Sequence, residues 1–122
     1  MDIFRIFNLQ CARHLPALPD SHPCSRLHGH SFKVELTISG AVDPQLGWVL
    51  DFADIEAAWQ PIHAALDHRN LNGIAGLDNP TSENLAMWLW HQLKPGLTGL
   101  SQIRVMETHD SGCIFRGEPT LT

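Results

Sequence analysis

The segment CSRLHGH, residues 24–30, carries the residue types best suited to chemistry in this 122-residue chain. His28 and His30 are two positions apart, and the side chains of a strand return to the same face every two residues. Both imidazoles therefore face one way, and a divalent metal could bind two such nitrogens at about 2.0–2.1 Å. Two hydrogen-bonded core histidines would give the same pattern, because a buried imidazole needs a partner. The spacing leaves both interpretations open.

Cys24 stands four residues before His28, at the end of a proline-bearing loop. A free thiol has a pKa of about 8.5, and it becomes an effective base or nucleophile when nearby positive charge lowers that pKa. A metal ion or a histidinium would supply such charge. Spacing alone favours the alternative role of a small buried hydrophobic residue.

Asp67 and His68 form an adjacent acid–imidazole pair in the segment LDHRNLN, beside a predicted turn. A carboxylate that orients a histidine is a recurrent proton-transfer device. The alternative is a histidine that interacts with the dipole at a helix C-terminus. Adjacent side chains on a regular element point apart, so the pair works as a unit only if the turn bends them together or partners come from different chains.

Glu107 takes the inward position on an otherwise apolar strand face, after Ile103 and Val105. A buried carboxylate requires hydrogen-bond donors. The N–H edge of a pterin or guanine would be a fitting bidentate partner. A glutamate that merely ends the strand at its rim is the alternative.

The alternation of apolar and polar residues predicts the strands that position these side chains. Residues 30–40, HSFKVELTISG, alternate cleanly and are typical of a strand with one buried face. His28 and His30 share the parity of its apolar face. Three further strands are predicted over residues 1–14, 103–107 and 113–115.

Capping and stop signals predict two helices. Asp51 is the expected N-cap of the first, which Pro61 must kink or restart near His63. Thr81 is the expected N-cap of the second, which Lys-Pro-Gly at residues 94–96 ends. The order strand, strand, helices, strand, strand favours the α+β class, with a four-stranded antiparallel sheet and two helices on one face. Joining subunits edge to edge would cover the open edges of such a sheet.

Composition narrows the class of protein. The length predicts a single domain over residues 1–122, and the net charge of −5 argues against a nucleic-acid partner. No apolar run approaches the roughly 18 residues that span a bilayer, and the first residues are too polar for a signal peptide. The three cysteines are too few for a disulfide framework and favour a reducing cytoplasm.

Five segments of the chain resemble the 6-pyruvoyltetrahydropterin synthase / 6-carboxytetrahydropterin synthase family, over roughly residues 4–117. They are CSRLHGHSF, GWVLDF, LDHRNLN, NPTSENLA and METHDSGCIFRG. The spacing of a cysteine, three residues and His-Gly-His is similar to the 6-carboxytetrahydropterin synthase branch, which acts in the 7-deazaguanine (queuosine) route.

This resemblance implies a fold, an assembly and a reaction. The fold would be the tunnelling (T-) fold, joined as a homo-oligomer into a trimeric barrel and commonly a hexamer, with active sites between subunits. A zinc-dependent lyase would convert 7,8-dihydroneopterin triphosphate to 6-carboxy-5,6,7,8-tetrahydropterin, acetaldehyde and triphosphate. The alternatives are 6-pyruvoyltetrahydropterin synthesis without acetaldehyde, and a diverged pterin- or metal-binding relative with weak or no catalysis.

The resemblance also implies roles for individual residues. His28 and His30 correspond to zinc ligands, and Cys24 to the proton-abstracting thiol. The remaining roles are a proton relay at Asp67 and His68, a pterin anchor at Glu107, and a pterin contact at Thr81.

One position departs from the family pattern. The first zinc histidine of the family lies in an Ala-Ala-His run, where this chain has Arg13, with His14 one place later. A one-residue shift on a strand moves a side chain to the other face. A bulge could aim His14 inward, His22 could serve instead, or zinc could have only two protein ligands. We predict His14 as the third ligand. An inward Arg13 could instead meet the triphosphate.

Overall fold

The computed structural model describes residues 1–119 as one antiparallel sheet packed against two helices. The elements in chain order are β1 (Asp2–Arg13), a 3-10 turn (Pro23–Ser25), β2 (His28–Ser39), α1 (Phe52–Leu66), a 3-10 turn (Leu71–Gly73), α2 (Ser82–Leu93), β3 (Leu100–Met106) and β4 (Gly112–Phe115). The strand order is β1-β2-β3-β4. The predicted α+β class is therefore confirmed. The predicted domain, residues 1–122, ends outside the described residues.

The alternation of side chains buries one face of each long strand. Leu9 of β1 and Val34 of β2 are fully buried, whereas their neighbours Asn8, Gln10 and Lys33 are exposed. β1 and β2 pair in continuous register from Asp2↔Ser39 to Arg13↔His28. Arg13 thereby takes the inward position at the end of β1, next to the strand that carries the predicted histidine ligands.

Helix α1 begins as predicted but does not restart at its proline. The Asp51 carboxylate accepts a hydrogen bond of 2.9 Å from the backbone N–H of Ala53. The helix then continues through Pro61 to Leu66 as a single element. The prediction allowed either a kink or a restart at Pro61, and the restart is not observed because buried packing continues on both sides of the proline. Trp59, for example, is buried and stacks on Phe7 with ring centroids 4.9 Å apart.

Thr81 caps α2, as predicted, by accepting a hydrogen bond of 3.1 Å from the N–H of Asn84. We expect Thr81→Ala to lower the free energy of unfolding by about 1 kcal/mol, because a terminal N–H loses its acceptor. Urea denaturation measures this loss, and Thr81→Ser, which keeps the hydroxyl, is the matched control. Equal stability of the alanine and serine variants would contradict the capping role.

Helices and sheet enclose a single core. Leu85, Leu89 and Leu93 of α2 are buried against it, because residues four apart share one face of a helix. Residues 1–119 contain no helix that is long and apolar enough to cross a membrane. Polar side chains are grouped at the end of the sheet near His28 and Arg13, outside this core.

Candidate active site

A cleft of about 640 Å³ opens at this end of the sheet. Its walls come from β1, β2, the loop after α1 and the turn after β3. Three of the predicted site residues, His30, His68 and Glu107, line it. They lie far apart in the chain, so the fold itself assembles this part of the predicted site.

The turn after α1 brings the side chains of Asp67 and His68 together. His68 has a φ of 58°, a left-handed conformation that is uncommon for a residue other than glycine. In this conformation His68 Nδ1 lies 2.6 Å from Asp67 Oδ2, while Asp67 Oδ1 accepts a bond of 2.9 Å from the N–H of Gln10. The bend that the adjacent pair requires is therefore present.

The environment of Asp67 keeps its carboxyl ionised. The backbone N–H of Gln10, followed by the His68 hydrogen bond, lowers the pKa of Asp67 below its ordinary value. An ionised Asp67 accepts the Nδ1 proton of His68 and leaves Nε2 of that ring to exchange protons. The His68 side chain is 79% exposed, so a substrate or a second subunit can reach it.

His63 is a member of this cluster that the sequence reasoning did not identify. Its Nε2 lies 3.5 Å from Asp67 Oδ2. The signal was available in the sequence, because residues four apart on a helix share a face and His63 precedes Asp67 by four. His63 is positioned to share its carboxylate partner with His68.

Glu107 directly follows β3 and is held by donors from two other elements. Its Oε1 accepts hydrogen bonds from Ser82 Oγ, at 3.0 Å, and from Arg13 Nη2. Burial raises the pKa of Glu107, but the bonds from Arg13 and Ser82 outweigh that effect and hold the pKa below its ordinary value. The carboxylate is therefore ionised at the wall of the cleft.

The two histidines of β2 have the orientation that their spacing predicts. Their ring centroids are 6.2 Å apart. His28 Nδ1 donates to the carbonyl of Arg26 at 2.7 Å, and His30 Nε2 donates to the carbonyl of Glu107 at 2.9 Å. Burial, followed by the charge of Arg13, lowers the pKa of His30. His30 is therefore a neutral imidazole whose Nε2 proton is already committed.

Of the three cysteines, Cys11 is buried, whereas Cys24 and Cys113 are half-buried. Burial raises the pKa of Cys11 to about 11, so this cleft-lining thiol stays protonated. Cys24 lies half-buried in the first 3-10 turn, where its N–H donates to His22 Nδ1 at 3.1 Å. Within residues 1–119 the structure places Cys24 outside the lining of the cleft. The thiol therefore does not join His30, His68 and Glu107 within this single chain.

Arg13 is a buried charged side chain that lies behind Glu107, which lines the cleft. It is 2% exposed, and its Nη1 donates to the carbonyl of Pro80 at 2.9 Å. Its Nη2 pairs with Glu107, and its guanidinium lies 5.0 Å from the centroid of the Phe32 ring. The identity of residue 13 was evident from the sequence, but its partners are 67 and 94 residues away.

The zinc ion that the resemblance implies does not fit these residues. β1 shows no bulge along its described pairing with β2, so Arg13 rather than His14 faces the site. His14 follows the strand, where its N–H and carbonyl both bond to the Asn72 amide at 2.9 Å. The predicted set His14, His28 and His30 is not brought together. The described part of the chain has no group of three histidine, cysteine or carboxylate side chains placed to hold a metal.

Comparisons with known proteins identify relatives that act on pterins. The family model for 6-pyruvoyl tetrahydropterin synthase matches residues 2–118. The chain is 35% identical over 119 residues to the 6-carboxy-5,6,7,8-tetrahydropterin synthase of Synechocystis sp., and the alignment covers 93% of this chain and 91% of the relative. It is 36% identical over 89 residues to the dihydroneopterin monophosphate aldolase of Pyrococcus furiosus, and that alignment covers 70% of this chain and 75% of the relative.

A solved structure shares the fold over almost the whole chain. The 6-pyruvoyl tetrahydropterin synthase of Caenorhabditis elegans aligns with a TM-score of 0.89 and 25% sequence identity, and the alignment covers 97% of this chain and 96% of that chain. The predicted T-fold is thereby confirmed at the level of the single chain, and the resemblance noted in the sequence is confirmed. The chain belongs to the 6-pyruvoyl tetrahydropterin synthase family.

Proposed function

We propose that this chain is a pterin-processing lyase that converts 7,8-dihydroneopterin triphosphate and one water molecule to 6-carboxy-5,6,7,8-tetrahydropterin, acetaldehyde and triphosphate. The observation that carries the proposal is the meeting of an ionised Glu107 carboxylate and the Asp67-oriented His68 at one cleft. Lyase-type action on a pterin is supported by the family match. The carboxy product is supported by similarity to the Synechocystis 6-carboxy-5,6,7,8-tetrahydropterin synthase over 93% of this chain. The 7-deazaguanine route is the place proposed for this reaction.

Glu107 is the proposed anchor for the pterin ring. The N–H groups on one edge of a pterin match the two oxygens of a carboxylate, and such charge-assisted bonds are stronger than neutral ones. Arg13 and Ser82 hold this carboxylate ionised and fixed in direction. Thr81, directly before Ser82 in the chain, is proposed as a further pterin contact.

His68 and Cys24 are the proposed proton-transfer groups. With its Nδ1 proton directed to Asp67, His68 presents Nε2 as a base toward a hydroxyl of the substrate side chain. Cys24, as thiolate, would exchange the second proton. A positioned acid or base of this kind contributes about 10²–10⁴-fold in rate. No step is assigned to a zinc ion, because Arg13 stands where a third ligand is needed.

A homo-oligomer, either a trimer or a hexamer, belongs to this proposal. β1 and β4 are the open edges of the sheet. Phe4 and Ile6 on β1 and Ile114 on β4 are all exposed. The outer face of the sheet is therefore apolar near both of its edges. Joining the sheets of several chains would cover it and could bring Cys24 of one subunit to His68 of another. The proposed location is the cytoplasm, in keeping with three free cysteines.

The experiment is to incubate purified protein with 7,8-dihydroneopterin triphosphate and identify the products. Acetaldehyde together with a carboxypterin is the expected result. Triphosphate release without acetaldehyde would instead establish 6-pyruvoyltetrahydropterin synthesis. The buried Arg13 favours a second candidate function, a diverged pterin-binding relative, and tight pterin binding without any turnover would establish that function.

A further inference from the structure

We propose that the Arg13 guanidinium, which pairs with the cleft-lining Glu107, is the fixed cation of the site and that the His28–His30 pair therefore holds no resident zinc. This departs from what the family resemblance implies for the same position. It does not rest on the proposed reaction, because metal binding can be measured without any substrate.

The register of the sheet decides which residue faces the histidines. Arg13 pairs directly with His28 across β1 and β2, and Cys11 pairs with His30. Residues 11 and 13 both point inward, since residues two apart on a strand share a face. A histidine at position 13 would meet His28 and His30, whereas His14 belongs to the opposite parity.

Arg13 is fixed in place and cannot be moved aside at little cost. It is 2% exposed and bonded to the Pro80 carbonyl and to Glu107, with Phe32 beneath its guanidinium. Withdrawing it would leave the Glu107 carboxylate without its cation. Within residues 1–119 its one unpartnered atom is Nε, a hydrogen-bond donor, and a donor cannot ligate a metal.

The other groups at the site are also consistent with a His28–His30 pair that binds no metal ion. His30 already donates its Nε2 proton to the Glu107 carbonyl. Glu107, which would compensate the charge of a metal, is neutralised by Arg13. A divalent ion beside His30 would lie near the Arg13 guanidinium and would find the Glu107 carboxylate already paired with it, so no carboxylate would be left to compensate the charge of the ion. Catalytic zinc sites usually supply three protein ligands, and here the third is replaced by the charge of Arg13.

Exchanging the two neighbours, in the variant R13H/H14R, tests the inference. The exchange places a histidine on the inward parity and keeps the composition and net charge of the chain. Zinc affinity is measured by competition with a chelating indicator, and Co²⁺ absorption reports ligand geometry. We expect the wild type to bind zinc at least about 100-fold more weakly than the exchange variant, since even loss of an outer-sphere partner costs 10–100-fold.

Two single variants test whether another histidine supplies a third zinc ligand. His14→Ala and His22→Ala should leave the weak zinc binding of the wild type unchanged. Tight stoichiometric zinc in the wild type that is lost in His14→Ala or His22→Ala would overturn the inference. If the exchange variant fails to fold, the wild type is compared with His28→Ala after dialysis. Zinc that the wild type retains and His28→Ala loses would also overturn the inference. Retention of zinc by neither protein supports the inference.

Discussion

His68→Asn should lower kcat on the pterin substrate by about 10²–10⁴-fold, the usual contribution of a positioned acid or base, while the melting temperature stays unchanged. His68 has a φ of 58°, and asparagine adopts this left-handed conformation more readily than most residues. The backbone turn that holds Asp67 is thereby retained, and only the imidazole is lost. Steady-state kinetics and thermal unfolding of the same preparation measure both quantities.

The matched control for this prediction is His109→Asn. His109 is 93% exposed in the turn between β3 and β4, where it has no proposed role. Its variant should keep full activity and stability. Turnover by His68→Asn within a few-fold of the wild type would rule out His68 as the proton-transfer group.

Glu107→Ala should lower the free energy of unfolding by about 2–4 kcal/mol, because it leaves the buried Arg13 guanidinium without its carboxylate. Breaking a fully buried ion pair costs about 3–5 kcal/mol, and the partial exposure of Glu107 reduces that figure. The Glu107 side chain is 37% exposed, whereas that of Arg13 is only 2% exposed. Chemical denaturation measures the difference from the wild type.

Two comparisons test whether the buried charge causes this loss. Arg5 and Glu56 also form an arginine–glutamate pair, at 3.0 Å, but this pair lies at the surface, so Glu56→Ala should cost at most about 1 kcal/mol. The double variant R13M/E107A removes both charges and should recover much of the stability lost in Glu107→Ala. A Glu107→Ala protein as stable as Glu56→Ala would show that Arg13 does not depend on its partner.

Local patterns predicted much of the fold. The alternation in β2 and the caps at Asp51 and Thr81 involve residues close together in the chain, and each is found in the structure. The run of α1 through Pro61 was not predictable in this way, because packing of Trp59 and its neighbours on the sheet overrides a local signal.

The candidate site was predictable in its members but not in their pairing. Glu107 was identified from its inward parity, yet its donors Arg13 and Ser82 come from distant elements. The pairing of Asp67 with His68 depends on a left-handed residue, and such a conformation has no reliable signature in a single sequence outside glycine. Long-range contacts and unusual dihedral angles therefore account for what the sequence could not show.

Calorimetric titration of 7,8-dihydroneopterin into the wild type and into Glu107→Gln tests whether this cleft is a pterin site. Glutamine keeps the shape of the side chain and removes its charge. We predict that the wild type binds the reduced pterin and that the variant binds at least about 10-fold more weakly, because charged acceptors contribute about 1.5–3 kcal/mol per hydrogen bond. Equal affinity in both proteins, or no binding by the wild type, would contradict the assignment of Glu107 as the anchor.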